Sequence, residues 1–128
     1  MRTRLEQGLN ALHLSPTPSE TLERYCHLLL EQNQVMNLTA ITDPDQVVDL
    51  HMLDSAALLT VEDFSGKKVI DVGTGAGFPG MVLRILEPDF DLTLLDSRLR
   101  LYMMKQLTNI SSTEERSSQQ TPVLLICV

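Results

Sequence analysis

The sequence predicts an α/β fold preceded by a helical region. Three observations lead there. A short β-branched run, Lys68 to Val72, passes directly into the stretch Gly73-Thr-Gly-Ala-Gly-Phe-Pro-Gly80. An apolar helical run through Met81, Val82, Leu83, Ile85 and Leu86 follows, stopped by Pro88. A second extended run, Leu92 to Leu95, then ends on Asp96. Strand, glycine loop, helix and strand make a βαβ unit, with parallel strands and a right-handed crossover expected.

The elements ahead of that unit read as helices. Leu5, Leu9 and Leu12 lie on one helical face, so Met1 to about His13 is a short amphipathic helix. Leu-Ser-Pro-Thr-Pro-Ser-Glu breaks it. Thr17 as N-cap, Pro18 as first helical residue and Glu20 as third complete a capping box. Leu22, Tyr25, Cys26 and Leu29 share the apolar face of the helix that follows, which is expected to reach about Gln34. Asn-Leu-Thr-Ala-Ile is an extended connector. Asp43, Pro44 and Gln46 repeat the capping pattern and open a helix to about Leu50. His51 to Leu59 reads as a kinked or second helical segment, and Val61 to Gly66 as a polar turn. Residues 1–65 therefore form an N-terminal helical region, 66–106 the start of a ligand-binding α/β domain, and 107–128 an atypical tail. That tail is rich in Ser, Thr, Gln and Glu and reads as loop or disorder, except for the apolar run Val123 to Val128. Two parallel strands leave an open sheet edge; that run could cover it as a further strand, and otherwise the chain is expected to be marginal or prone to associate.

Composition limits the classes available. The 128 residues, 43% hydrophobic and 21% charged, describe one globular chain and not a disordered one. A formal net charge of -7 counts against broad nucleic-acid binding without a local basic patch. From Glu31 to Asp63 there is no Lys or Arg; the bases gather at Arg2, Arg4, Lys67, Lys68, Arg98, Arg100 and Lys105. Cys26 and Cys127 show no metal-ligand spacing and read as reduced thiols of a cytoplasmic protein. The N-terminus lacks a secretory h-region, and no apolar run approaches the roughly 20 residues of a membrane span.

The glycine loop carries the chemistry. Gly73 and Gly75 stand where the strand turns towards the helix, and their missing Cβ atoms let a ligand lie on the backbone. Gly77 and Gly80 allow close helix-on-strand packing. The helix N-terminus is expected to turn free N–H groups towards the ligand. Asp96, at the carboxyl end of the second strand and about 20 residues beyond the loop, is placed to accept ribose hydroxyls. The ligand therefore contains a nucleoside. Two cofactors compete for it. Gly75, Gly77 and Gly80 fit the dinucleotide form G-x-G-x-x-G. Asp71, two residues before the first glycine, would repel a pyrophosphate but attract the cationic amino end of S-adenosyl-L-methionine, directly or through water. Charge favours the latter.

Read together, the blocks NLTAITDPDQVVDLHMLDS, VIDVGTGAGFPG and LTLLDS closely resemble the bacterial small-subunit ribosomal RNA guanine-N7 methyltransferases, also called the glucose-inhibited division protein B family. The likeness covers about Leu22 to Gln106 and dissolves near Leu107. It implies a Rossmann-like methyltransferase fold, here incomplete, with an N-terminal helical part. It implies methyl transfer from S-adenosyl-L-methionine to N7 of a guanine in 16S ribosomal RNA of the small subunit. By motif match, Gly73 and Phe78 are carried over as cofactor contacts; Gly75, Gly77 and Asp96 follow from the wider loop-and-acid pattern. The family continues well past the second strand, so the tail suggests a truncated or frame-altered product. A remnant that binds cofactor without turnover is the alternative, and a nicotinamide-dependent oxidoreductase a more distant one.

No catalytic side chain and no metal are expected. Guanine N7 carries a lone pair and no proton, so an in-line displacement needs no general base. His51, Asp54 and Ser55 crowd one segment and invite a hydrolase reading, but triads draw on separated segments. A structural cap or pair, or a place at the substrate edge, suits them better. Arg98, Arg100 and Lys105 are either RNA-phosphate contacts or a solvated helix face. Methionines including Met103 and Met104 read as core filler.

Overall fold

The computed structural model of the chain describes residues 1–96 and 123–127. Arg98, Arg100, Met103, Met104, Lys105 and the tail from 107 to 122 lie outside the described residues.

Helix α1 (Arg2–Ala11) buries Leu5 and Leu9. Helix α2 (Ser19–Met36) buries Leu22, Tyr25, Cys26 and Leu29, the face its spacing predicts. The capping box expected at its start does not form. The Ser15 hydroxyl donates to Thr17 Oγ1, Pro18 stands at the N-cap so that the helix begins one residue later, at Ser19, and the first amides use the Pro16 and Pro18 carbonyls. Thr17 is thus spent on the preceding turn. Asn37, at φ 48, closes α2 in the left-handed conformation, which asparagine tolerates.

The second start signal is realised. Asp43 accepts the Gln46 amide at 2.9 Å and caps α3 (Pro44–Val47). This helix stops short of Leu50. The chain widens into a π-helical turn (Val48–Leu53), returns to α4 (Asp54–Ala56) and tightens into a 3₁₀ turn (Ala57–Thr60). The kink expected at His51 is therefore a change of pitch along one helical path. It turns Val48 and Met52 into the core together.

Strands β1 (Lys68–Val72) and β2 (Asp91–Leu95) are parallel and joined through α5 (Gly80–Leu86). Strand β3 (Val123–Cys127) pairs parallel with the other side of β1, giving the order β2-β1-β3. The sheet edge that two strands would leave open along β1 is therefore occupied, by the apolar run the sequence marks. Val69 and Asp71 are buried along β1.

The core is continuous across Gly66, the expected boundary. Leu5, Leu9, Leu22, Tyr25, Leu29, Val47, Val48 and Met52 form one buried cluster with Ala76, Met81 and Val82. A smaller cluster joins Phe64, Val69, Leu83 and Phe90. The glycine loop thus rests on the N-terminal helices as well as on its own sheet.

Candidate functional site

Strand β1 is the central strand of the sheet, between β2 and β3. Open parallel sheets bind ligands outside the carboxyl ends of their strands. The loop from Gly73 leaves β1 at that end. Gly73, Gly75 and Gly77 have φ of 76, 55 and 103, a region only glycine enters without strain.

The loop is tied to the sheet by its own amides. Those of Gly73 and Thr74 donate to the Leu95 carbonyl, and those of Gly77 and Phe78 to the Thr74 carbonyl. The Gly75 amide donates to Asp96 Oδ2. At the start of α5 the Gly80 amide donates to Asp71 Oδ2, and that of Met81 to the Gly77 carbonyl. At Gly80 and Met81 the free N–H groups expected of the helix start are therefore corrected. The same tight turn that bares the backbone also closes these amides on internal acceptors.

The two carboxylates come to the loop as the sequence predicts, with separate duties. Asp96 ends β2 and fixes Gly75 through Oδ2. Asp71 is fully buried. Its Oδ2 accepts from the Thr74 hydroxyl at 2.9 Å and from the Gly80 amide at 2.8 Å. Its Oδ1 is buried and has no hydrogen-bond partner among the described residues. Desolvation pushes the Asp71 carboxyl above its ordinary pKa; the two donors oppose that, and the Asp96 charge adds to it. A buried acceptor without a donor is costly, and a cationic or N–H donor at Oδ1 would remove the cost.

Two rings stack on Phe78. Tyr25 does so at 5.4 Å between centroids with planes 22° apart. His51 stacks at 4.5 Å and 9°. The Phe78 ring is thus already engaged by side chains of the helical region. Tyr25 further donates its hydroxyl to the Ala76 carbonyl at 2.6 Å. Its burial raises the phenol pKa, so the hydroxyl stays a donor. His51 Nε2 lies 2.9 Å from Thr39 Oγ1, and burial lowers its pKa against an opposing pull from Asp54. Ser55 is buried while Asp54 is exposed, and His51 is engaged by Thr39, so the hydrolase grouping does not assemble. The sequence marks Tyr25 only as core. A buried tyrosine hydroxyl that needs a partner is the signal that points to more.

Among the described residues no cluster of His, Cys, Asp or Glu is arranged to hold a metal. None of their helices is long and apolar enough to cross a membrane. Arg2 pairs with Glu23, Arg4 with Asp49 and Lys67 with Glu62, so these bases are committed to neighbouring carboxylates.

Known proteins bear on this site. The model of the rRNA small subunit methyltransferase G family matches residues 18–117, a wider span than Leu22 to Gln106. Ribosomal RNA small subunit methyltransferase G of Symbiobacterium thermophilum is 50% identical over 96 residues, covering 73% of this chain and 39% of that protein. The protein of the same name from Carboxydothermus hydrogenoformans is 41% identical over 105 residues, covering 77% and 45%. That from Lachnoclostridium phytofermentans is 40% identical over 124 residues, covering 89% and 51%. The chain thus spans about half or less of the length of these relatives.

Proposed function

The chain belongs to the rRNA small subunit methyltransferase G family, and from that premise we propose that it binds S-adenosyl-L-methionine at the Gly73–Gly80 loop for methyl transfer to N7 of a guanine in 16S ribosomal RNA. The fold accords with this: an incomplete α/β Rossmann-like unit behind N-terminal helices.

One observation carries the choice of cofactor. Among the described residues Asp71 Oδ1 is a buried acceptor without a partner, beside a loop in which the Gly73, Thr74, Gly75, Gly77 and Phe78 amides meet internal acceptors. A pyrophosphate needs free amides and would meet two carboxylates there. A ligand with a cationic amino group and ribose hydroxyls needs the reverse. The residues present therefore fit S-adenosyl-L-methionine and disfavour a dinucleotide.

When bound, this cofactor supplies a methyl group made electrophilic by its sulfonium. Asp71 takes the amino end, directly or through water. Gly73 and Gly75 let the ligand lie against the backbone, and Gly77 keeps the loop close to Tyr25 and Met81. Asp96 accepts ribose hydroxyls at the end of β2, and Phe78 adds a further contact. No side chain has to move a proton, because guanine N7 presents a lone pair. The chain's task is orientation, which supplies roughly 7–11 kcal/mol in such displacements. The substrate is 16S ribosomal RNA in the small subunit, and the place of action the cytoplasm.

Calorimetry with S-adenosylhomocysteine and with NADPH separates the cofactor classes; binding of the first and not the second is expected. Incubation with small ribosomal subunits lacking the N7 mark then tests transfer. Saturable S-adenosylhomocysteine binding without transfer would reduce the chain to a cofactor-binding remnant. NADPH binding alone would overturn the reading.

A further inference from the structure

The glycine loop is gripped from outside its own βαβ unit, and the grip has a chain of support. The Asn33 side chain, buried on α2, accepts the Thr39 amide at 2.8 Å. Thr39 Oγ1 in turn accepts the Ile41 amide at 3.1 Å and meets His51 Nε2 at 2.9 Å. His51 lies on the π-helical turn, a geometry that recurs at functional sites. Its ring stacks on Phe78 at 4.5 Å, closer and more nearly parallel than the Tyr25 ring at 5.4 Å. We propose that His51, held by Thr39, is a positioning residue: it acts through Phe78 to fix the conformation of the Gly75–Phe78 segment in which the loop receives its cofactor.

Several features single out His51. Gly75 and Gly77 both have positive φ, so the segment between them is intrinsically permissive and needs external restraint. Phe78 is the first residue after it with a large side chain. Tyr25 already restrains the segment through the Ala76 carbonyl. A second restraint is the His51 ring stacked on Phe78, and a ring with one nitrogen bonded to Thr39 is fixed in rotation as well as in place. This assignment rests on the cofactor reading above, because it is for cofactor binding that the loop is held.

The full chain serves for the test. S-adenosylhomocysteine affinity is measured by calorimetry, and amide hydrogen exchange is followed at Gly75–Phe78 and at Val69–Asp71. Thr39→Val keeps side-chain shape but loses the hydroxyl's contacts with His51 and with the Ile41 amide, and is expected to weaken affinity by about fivefold or more. His51→Ala loses bond and stack together and is expected to weaken it by about tenfold or more. Both speed exchange at Gly75–Phe78 and leave Val69–Asp71 unchanged. Thr39→Ser, which keeps the hydroxyl, restores affinity and exchange towards those of the parent chain. Should His51→Ala fail to fold, the Thr39 pair answers the question alone. Parent-like affinity and loop exchange in Thr39→Val overturn the proposal. So does exchange that rises equally in β1, since that marks general loosening. If the parent chain itself binds no S-adenosylhomocysteine, the cofactor reading fails, and local loop exchange still decides whether His51 positions the segment.

Discussion

The Gly80 amide donates to Asp71 Oδ2 at 2.8 Å, tying the last glycine of the loop to the buried acid of β1. The contact leaves no room for a side chain. A Cβ on Gly80 would stand 2.6 Å from Leu94 Cδ2 and 2.8 Å from Asp71 Oδ2. Gly80→Ala is therefore expected to destabilise the chain by about 1–3 kcal/mol, as overpacking does. It also displaces Asp71, so S-adenosylhomocysteine affinity falls with it. Thermal melting and calorimetry check both; an unchanged melting temperature would refute the close packing.

Asp71→Asn separates stability from binding. Asparagine can still accept from Gly80 and Thr74, and it removes a buried charge whose Oδ1 lacks a partner among the described residues. Melting at neutral pH is expected to stay the same or rise, while affinity for the cationic cofactor falls. The sign of the pH dependence follows from the raised pKa. The folded carboxyl holds its proton at pH values where the unfolded one is already ionised. This site's contribution to stability is thus present below the ordinary carboxylate value of 3.8. It is lost as pH rises through the raised folded value. Cofactor binding runs the other way, because it needs the carboxylate, and it weakens as pH falls through the same window. Calorimetry across that window on parent and Asp71→Asn chains decides; a parent affinity that is flat with pH would contradict the role given to Asp71.

Gly66 and Gly75 form a matched pair of probes. Both have positive φ, 71 and 55. Among the described residues a Cβ on Gly66 meets nothing within 4 Å, and one on Gly75 meets only Asp96 Oδ2, at 3.9 Å. Each change to alanine is expected to cost about 1–2 kcal/mol of backbone strain. Only Gly75→Ala puts a methyl group at the loop beside Asp96, so only it reduces S-adenosylhomocysteine affinity beyond what its stability loss explains. Equal binding by the two variants would place the ligand elsewhere.

What the sequence shows of this molecule is what is local. Asp43, Pro44 and Gln46 announce their helix because a cap needs only neighbours. The strand, glycine run and terminal Asp96 announce the βαβ unit for the same reason. Thr17 carries the same capping signal and fails, because Ser15, two residues back, takes its hydroxyl. The π-helical turn at Val48–Leu53 has no spacing that sets it apart from an α-helix with a kink. The stacking of Tyr25 and His51 on Phe78 joins three elements distant in the chain, and no periodicity records such a meeting. The internal use of the loop amides is likewise set by the fold of the turn, not by the residue types in it.

The last prediction concerns how the helical region holds the loop. Tyr25 donates to the Ala76 carbonyl, and a Cβ on Gly77 would stand 2.6 Å from that same hydroxyl. Tyr25→Phe leaves the carbonyl of a buried residue without its donor, at an expected cost of about 1–3 kcal/mol. Gly77→Ala strains a backbone at φ 103 and collides with the hydroxyl. In the double variant the hydroxyl is gone, so the collision is relieved while the backbone strain and the close approach to Met81 remain. The double variant is therefore expected to be less destabilised than the two single changes added, by about 0.5–3 kcal/mol, the range for residues in direct contact. Chemical denaturation of the four chains measures this coupling. Additive losses would mean that Tyr25 and Gly77 do not share the space described, and that α2 does not grip the loop at this point.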